Sequence, residues 1–280
     1  MLTIKSKSAT ATFKQQAAEI TGFKKNGSDI EYMWQGDPAF WAGRNPILFP
    51  IVGNTYSKDY VIDGKTYAMG NHGLARHMNF DVLETSEDAL SLTVTDNEDT
   101  LKQYPFKFRL SVYYQLVDTR LSIKYKIDNV GATAMPFVFG LHPAFNVPLA
   151  EGEFSDYRLV FETEEQPFQI VEDDREIVVG PFKELKLDYE TFDRYPTLVY
   201  RNLKSSYVQL TNYKEGLQVG IAGYPYLAFW CGKRAPFLCV EPWYGTGDEK
   251  PNQWKFTERP GTNNLAAGES FYTEYYIELL

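Results

Sequence analysis

Cysteine is scarce in this chain, which argues against a protein held together by disulfides and against one built around a structural zinc site. The 280 residues include two cysteines, Cys231 and Cys239, and three histidines. Two cysteines cannot build a disulfide framework, and their spacing is not that of the C-x2-C pairs in structural zinc sites. The histidines are not closely paired, which argues against a metal site built from them. The sequence therefore predicts a protein of a reduced, cytoplasmic setting without a metal site.

Long apolar runs and clusters of positive charge are missing as well. No apolar run reaches the roughly 20 residues of a membrane helix, and residues 1–7 lack the apolar core of a signal peptide. The net charge is −9, and no basic run could neutralise a nucleic-acid backbone. These absences argue against membrane and nucleic-acid partners. No phosphate-binding glycine loop or dinucleotide fingerprint is present either, so we expect no organic cofactor.

Aromatic residues, by contrast, are abundant. The chain has 20 Tyr, 19 Phe and 5 Trp, together 16% of its residues. Tyrosine and phenylalanine favour strands, and part of the excess could line a carbohydrate cleft. Period-2 alternation dominates, most clearly in residues 271–279, 121–128 and 90–94. Since no repeat or linker is visible, these patterns predict one all-β domain over residues 1–280, a large antiparallel β-sandwich with very little helix.

Turn and cap signals place a few elements more closely. Asp63-Gly64 and Asn26-Gly27 each predict a two-residue hairpin turn, because both dipeptides accept positive φ angles. Residues 97–104 predict a short helix, with Asn97 as its N-cap and a proline as its stop. Residues 162–189 are charged and irregular, which indicates loops and short edge strands.

Two segments of the sequence are built alike and carry the strongest functional signal. Residues 237–245 read as an apolar strand that delivers Glu241 to its end and stops at the next residue, a proline. Residues 138–146 read as an apolar strand that ends at His142, again followed by proline. A carboxylate and an imidazole at two strand ends are a plausible general base and general acid. The structural alternatives are a glutamate that caps a turn and a histidine bonded to backbone.

Neighbouring residues suggest how these two groups would be surrounded. By strand alternation Gly140 shares a face with His142, and its missing side chain would leave room for a ligand. Cys239 points to the same side as Glu241 and should lie beneath it as a buried thiol. Trp243 follows two residues after Glu241 and could offer a ring to the apolar face of a sugar.

Two further segments contain polar residues suited to ligand binding. His72 lies in a loop with glycines on both sides, which indicates unusual backbone angles and a binding role. The structural alternative is a histidine bonded to a carbonyl group, and the adjacent His77 reads as structural or exposed. Arg44 and Asn45 precede an apolar strand flanked by prolines, where the guanidinium could present several donors to a ligand. The structural alternative for Arg44 is a solvated residue at the start of a strand.

Taken together, four motifs in this order resemble the aldose 1-epimerase (galactose mutarotase-like) family, and most closely its bacterial LacX-type branch. The similarity extends from about Ala42 to the final strand. The motifs are Arg44-Asn45-Pro46, His72-Gly73-Leu74-Ala75-Arg76, His142-Pro143-Ala144-Phe145-Asn146 and Glu241-Pro242-Trp243. The resemblance implies a β-supersandwich with a sugar site in an open cleft, and neither a metal nor an organic cofactor.

The resemblance also implies roles for individual residues. Glu241 looks like the general base and His142 like the general acid, while His72 and Arg44 look like substrate-positioning residues. The family has a substrate-binding aspartate between the catalytic histidine and glutamate. Asp188 and Asp193 are both available here, and Asp193 is included in the candidate site with Asn45, Trp243 and Arg76.

The implied reaction is the interconversion of the α and β anomers of a sugar through ring opening. We expect a free aldohexose such as galactose or glucose as substrate. The form of the motif that ends in Arg76 resembles the hexose-6-phosphate mutarotase branch, so a phosphorylated sugar is the alternative. A non-catalytic carbohydrate-binding sandwich is the rival from another class. A glycoside hydrolase ranks third, because Asp248 and Glu249 read as a polar turn and not as a second catalytic acid.

Overall fold

The structure is a computed structural model that describes residues 1–55, 59–165, 168–172, 175–179, 182–248 and 255–280. Of residues 168–172 and 175–179 it describes the backbone. Strands are numbered β1–β24 and helices α1 and α2 in chain order. The strands are β1 Leu2–Lys5, β2 Ala9–Phe13, β3 Ile20–Lys25, β4 Ile47–Leu48, β5 Asp59–Ile62, β6 Lys65–Ala68, β7 Asp81–Thr85, β8 Ala89–Thr95, β9 Phe108–Val117, β10 Arg120–Asn129, β11 Met135–Phe137, β12 Gly140–Leu141, β13 Ala144–Asn146, β14 Arg158–Glu165, β15 Phe168–Glu172, β16 Arg175–Val179, β17 Phe182–Lys186, β18 Thr197–Arg201, β19 Tyr207–Thr211, β20 Gly216–Gly220, β21 Tyr226–Trp230, β22 Phe237–Trp243, β23 Asn263–Leu265 and β24 Ser270–Leu279. The helices are α1 Glu98–Gln103 and α2 Tyr189–Arg194, and short 3-10 turns cover Ala75–His77, Phe154–Asp156 and Phe256–Glu258.

Two large antiparallel sheets make up most of the described fold. The nine-stranded sheet has the order β17-β14-β19-β20-β24-β10-β9-β8-β7. The eight-stranded sheet has the order β16-β15-β18-β21-β22-β12-β4, and β13 also pairs with β22. Smaller sheets are β1-β2-β3, β11-β23 and β5-β6. The predicted all-β architecture with very little helix is confirmed.

Aromatic side chains join the two large sheets. Phe161 of β14, in the first sheet, lies 5.2 Å from Tyr200 and 6.2 Å from Phe229 between ring centroids, and both partners belong to the second sheet. All three rings are at most 1% exposed, and each contributes about 1.5–3 kcal/mol through burial. A continuous core cluster runs from Ile4 to Leu279. Such a cluster is what one domain over residues 1–280 requires, and the domain count stays a prediction.

The alternation seen in the sequence sets which side of each strand faces the core. In β24, Tyr275, Ile277 and Leu279 are buried, while Tyr272 and Glu274 are exposed. Here β24 lies between β10 and β20. Strand β10 shows the same alternation over most of its length. In β8 the apolar residues Leu90, Leu92 and Val94 are buried as predicted, but Ser91 is buried too, so the prediction is confirmed for β24 and β10 and only in part for β8.

The predicted helix is confirmed as α1. The Asn97 side chain accepts hydrogen bonds from the N–H groups of Asp99 and Thr100, both at 2.9 Å. Thr100 Oγ1 accepts the Asn97 N–H in return, at 2.8 Å. A second helix, α2, was not predicted. Residues 162–189 do contain edge strands, since β17 and β16 end the two large sheets.

One of the two predicted hairpins is correct and the other is wrong. Asp63 and Gly64 have φ angles of 50° and 76° and join β5 to β6. Asn26-Gly27 also forms a turn, but no strand pairs with β3 after it. The Asn26 side chain instead donates hydrogen bonds to the carbonyl groups of Ser6 and Lys7, which hold this turn against residues 6–7.

No helix among the described residues is long and apolar enough to span a membrane. The cytoplasmic setting stays a prediction.

Candidate active site

The register of three strands brings the two predicted catalytic residues together. Gly140 of β12 pairs with Trp243, and Ala144 of β13 pairs with Cys239. Between these pairs the same register sets His142 opposite Glu241. Their side chains share one face of the sheet, and 3.4 Å separates His142 Nε2 from Glu241 Oε2. Their catalytic roles stay predictions.

The strand that carries Glu241 continues past the proline at which it was expected to stop. Pro242 pairs with Leu227 of β21, and β22 ends at Trp243. On the other side of β22, the N–H groups of Val240 and Tyr244 donate to the carbonyls of Pro143 and Phe139. The missing N–H of Pro242 falls between them, where β12 gives way to His142. The ladder tolerates the proline because it loses one bond at a break in its neighbour.

The space beside His142 is filled and not open as expected. A Cβ atom added to Gly140 would lie 2.8 Å from Trp243 Cδ1 and 2.7 Å from Val52 Cγ2. Glycine is therefore needed at position 140 so that the indole can pack against the strand. Trp243 is 7% exposed, so its ring supports Glu241 from within the core. A contact between Trp243 and sugar stays a prediction.

Burial shifts the catalytic pair away from its charged forms. Glu241 is 1% exposed and His142 is 7% exposed. Burial raises the pKa of the Glu241 carboxyl well above its usual value, against smaller opposing effects of Trp243 and Arg76. Burial also lowers the pKa of His142 well below its usual value, and the neighbouring His72 and Arg76 lower it further. Both shifts favour an uncharged carboxyl beside an uncharged imidazole, an arrangement in which one partner can donate a proton while the other accepts it.

Several polar atoms around this pair are buried without a hydrogen-bond partner among the described residues. They include Glu241 Oε2, His142 Nδ1 and Trp243 Nε1. The Trp243 N–H favours the carboxylate electrostatically, yet the geometry falls short of a hydrogen bond. Buried unpaired polar atoms are costly and rare in native proteins. Their concentration here is typical of a site that is completed by a polar ligand.

The loop after β6 presents His72 to the pair. His72 has a φ of 64° and the next residue, Gly73, a φ of 74°, which confirms the predicted unusual backbone. His72 Nδ1 accepts the N–H of Gly53 at 3.0 Å, so the proton of the neutral ring lies on Nε2. Burial, with a smaller effect of Arg76, lowers the pKa of His72 to about 3. Its ring lies 5.5 Å from that of His142.

Arg76 brings a cationic side chain with free hydrogen-bond donors to this region. It is half-buried and lies in the 3-10 turn that follows His72. Its guanidinium makes no hydrogen bond or ion pair with the described residues, although Glu19 and Glu241 are close enough to raise its pKa against the lowering effect of burial. An unpaired guanidinium at the catalytic pair is suited to a sugar oxygen or a small anion.

Arg44 and Asn45 lie at the base of the site and are largely engaged. Arg44 Nε and Nη2 donate to the Gln35 carbonyl at 2.9 and 2.6 Å. Both backbone N–H groups donate to Glu19 Oε1. Asn45 is 2% exposed, and its Oδ1 finds no hydrogen-bond partner in the part of the chain that the structure describes. The structure gives Arg44 a role in holding a loop, and substrate contact by either residue stays a prediction.

Both candidate aspartates have partners of their own. Asp188 caps α2, where its side chain accepts the Thr191 N–H at 2.6 Å. Asp193 is exposed and pairs with Arg234 at 2.6 Å. Neither carboxylate makes a hydrogen bond or ion pair to the catalytic pair, so the substrate-binding aspartate remains an open prediction.

A model of the aldose 1-epimerase family matches residues 1–219. The chain belongs to the aldose 1-epimerase family. It is 33% identical over 298 aligned residues to the chromosomal protein LacX of Lactococcus lactis subsp. lactis, covering 99% of this chain and 98% of that one.

Solved structures agree with this assignment. A galactose mutarotase-like protein from Lactobacillus casei ATCC 334 is 31% identical, has a TM-score of 0.92 and is matched over 100% of both chains. A galactose mutarotase related enzyme from Lactobacillus acidophilus is 28% identical, with a TM-score of 0.94 over 100% of this chain and 97% of the other. The protein is thus an aldose 1-epimerase-like isomerase with a galactose mutarotase-like fold.

Sequence reasoning missed three residues of this epimerase's site. The indole of Trp41 stacks on the His142 imidazole at 4.7 Å and 29°. Trp230 meets the same imidazole edge-on at 5.6 Å. Glu19 is 3% exposed, pairs with Lys14 and binds the N–H groups of Arg44 and Asn45. The available signals were weak: a glutamate within the apolar run 17–20, and aromatic residues in a chain already rich in them.

Cys239 lies where expected, beneath the carboxylate of the epimerase's catalytic pair. Ligand atoms of His142, Cys239 and Glu241 lie within 4.8 Å of one another, so these residues could hold a cation. Burial, with Glu241 as a smaller cause, raises the pKa of the Cys239 thiol well above its usual value. A metal would therefore have to displace strongly held protons. The absence of a metal site stays a prediction.

Proposed function

We propose that this epimerase interconverts the α and β anomers of a free aldohexose, with Glu241 as general base and His142 as general acid. The observation that carries the proposal is the buried Glu241–His142 pair, with His142 Nε2 and Glu241 Oε2 3.4 Å apart. Anomer exchange requires one proton to leave the C1 hydroxyl while another reaches the ring oxygen. The ring opens to the aldehyde, the C1–C2 bond rotates, and closure returns both protons. Each group is restored after turnover, so no further reactant is needed.

The pair reaches its working state by an internal proton shift. Moving the proton from the carboxyl to the imidazole produces a base and an acid without changing their summed charge. Arg76 assists, since its positive charge favours the Glu241 carboxylate. Hydrogen bonds from sugar hydroxyls to Glu241 Oε2 would supply partners that this atom lacks among the described residues.

Contacts of the two arginines favour a free sugar over a phosphorylated one. A phosphate is best held by more than one cation. Arg44 is committed to the Gln35 carbonyl, which leaves Arg76 as the arginine available at the pair. Glu19 and Glu241 also surround Arg76 with negative charge. The phosphosugar alternative retains one supporting observation, which is that the Arg76 guanidinium has no ion-pair partner among the described residues.

Two-dimensional exchange NMR on equilibrated galactose, glucose and glucose 6-phosphate tests the proposal. Wild-type protein should accelerate α/β exchange of a free hexose, and Glu241→Gln and His142→Asn should each lose at least about 99% of the activity, in line with the 10²–10⁴-fold contribution of general acid–base catalysis. Glu274→Gln on the exposed face of β24 is the matched control and should retain full activity.

Four outcomes would overturn parts of the proposal. Near-wild-type turnover in Glu241→Gln or His142→Asn contradicts the role given to that residue. Acceleration confined to glucose 6-phosphate supports the phosphosugar reading. Sugar binding without accelerated exchange supports a carbohydrate-binding protein, and release of a reducing end from a glycoside supports a hydrolase.

A further inference from the structure

The catalytic pair is closed off from solvent. Glu241 is 1% and His142 7% exposed, and their facing atoms are 3.4 Å apart. An aldopyranose must bring its C1 hydroxyl and its ring oxygen within about 2.6–3.2 Å of these groups. A segment that covers the pair therefore has to move before sugar can reach it.

Three rings surround the His142 imidazole, and they differ in how firmly they are held. Trp230 belongs to β21, where it pairs with Thr197 and Cys239 in two ladders. His72 exchanges two hydrogen bonds with Gly53. Trp41 lies in a loop that joins no sheet. Trp41 is thus the ring that can move at the smallest cost.

Side-chain hydrogen bonds join the two ends of the loop that carries Trp41. The Arg44 guanidinium binds the Gln35 carbonyl and so joins the two ends of residues 35–44. Gly36, with a φ of 73°, lets the chain pass close to Arg44, since a Cβ there would lie 2.9 Å from Arg44 Nε. Compact loops of this length with joined ends are frequently functional. Much of the loop is exposed, which keeps the cost of opening low.

The loop also holds the indole in a defined place. The Trp34 Nε1–H donates to the Trp41 carbonyl at 2.8 Å. A Cβ at Gly43 would lie 2.5 Å from Trp41 Cζ2, so only glycine there leaves room for the ring. Beyond the imidazole, Trp41 meets Trp230 edge-on at 5.5 Å. These contacts therefore fix the position of the indole over the His142 imidazole.

We propose that Trp41 is a sugar-contacting residue, and that the loop of residues 35–44 opens to admit an aldopyranose and closes with the indole against its apolar face. This inference rests on the proposed function and adds Trp41 as the residue that contacts the sugar ring. An indole offers a large apolar surface, which matches the axial C–H face of a pyranose. The hydroxyl groups remain free for His72 and Arg76, and the closed loop keeps water from the pair.

Anomer exchange measured over a range of sugar concentrations, together with saturation-transfer NMR, tests the inference. Trp41→Ala should raise KM about tenfold, the effect of losing one aromatic contact, and should abolish saturation transfer to the axial H1, H3 and H5 protons of β-glucose. Trp41→Phe should restore most of both signals. Tyr272→Ala is the matched control, because the Tyr272 ring is 67% exposed and lies on β24 in the other large sheet. It should behave like the wild type.

The outcomes separate this inference from the function on which it rests. If wild-type protein exchanges anomers while Trp41→Ala keeps its KM and its saturation pattern, Trp41 does not contact the sugar. A lower KM in Trp41→Ala would also overturn the inference, since the indole would then be only an obstacle. If wild-type protein neither binds a hexose nor exchanges its anomers, the proposed function fails and the inference fails with it.

Discussion

His72 has a neutral imidazole because its surroundings disfavour the charged form. Its pKa is lowered to about 3 from an unfolded value near 6.5. A lowered pKa contributes stability above pH 6.5, and this stability is lost as the pH falls from 6.5 towards 3. Any acid destabilisation in this window is partly due to His72, with His142 acting in the same direction.

His72→Asn tests this dependence, since asparagine tolerates a positive φ. We expect the drop in melting temperature between pH 7 and pH 4 to shrink by at least about 2 °C, or roughly 1 kcal/mol in a chain of this size. His77→Asn is the comparison, because His77 is exposed and its pKa is lowered in the same direction by burial and by Arg76, so this variant should reduce the drop by less than His72→Asn does. If thermal unfolding gave the same dependence of melting temperature on pH for the wild type, His72→Asn and His77→Asn, this explanation would be contradicted.

Arg76 should set the pH at which the catalytic pair works. Its charge lowers the pKa of both Glu241 and His142. Removing the charge in Arg76→Ala raises both pKa values, so the rate profile should move to higher pH as well as losing amplitude. Arg76→Lys should keep the position of the profile. Exchange rates measured from pH 5 to pH 9 check this, and an unmoved profile in Arg76→Ala would rule out the electrostatic role.

Gly73 anchors the loop that presents His72 to the site. A Cβ there would lie 2.4 Å from the Phe49 carbonyl oxygen, and φ is 74°. Gly73→Ala should therefore destabilise the protein by more than about 2 kcal/mol, the sum of a backbone penalty and a clash. Gly64→Ala is matched for φ, at 76°, but nothing lies within 4 Å of its Cβ. Urea unfolding of both variants separates the cost of the clash from the cost of the positive φ. An equal loss of stability in the two variants would contradict a clash at Gly73.

Elements with a local cause were predictable, and those with a distant cause were not. The cap of α1 and the Asp63-Gly64 hairpin follow from neighbouring residues. Asn26-Gly27 carries the same local signal, yet its bonds to Ser6 and Lys7 override it. The similar build of two strand ends suggested Glu241 and His142 as base and acid, and the family resemblance then implied the same roles. Trp41 was missed because its partner is about a hundred residues away, and no local pattern reports such a contact.

The position of β24 inside the nine-stranded sheet makes the molecule depend on that strand. It joins β20 to β10, and its inward residues belong to the common core. Deleting residues 270–280 should leave two unpaired edges and prevent cooperative folding. Circular dichroism and size-exclusion chromatography would show aggregated or unfolded protein. Deleting residues 1–5 removes only the edge strand β1 and should be far milder. A stable, monomeric β24 deletion would overturn this expectation.

The same strand has a consequence during translation. The two halves of the nine-stranded sheet are both synthesised before the strand that lies between them; one half is β7–β10 and the other is β14, β17, β19 and β20. Until residues 270–279 leave the ribosome, the hydrogen-bonding edges of β10 and β20 face no partner. The nascent chain therefore carries two open strand edges from the synthesis of β20 until that of β24, and the sheet can close only as residues 270–279 emerge.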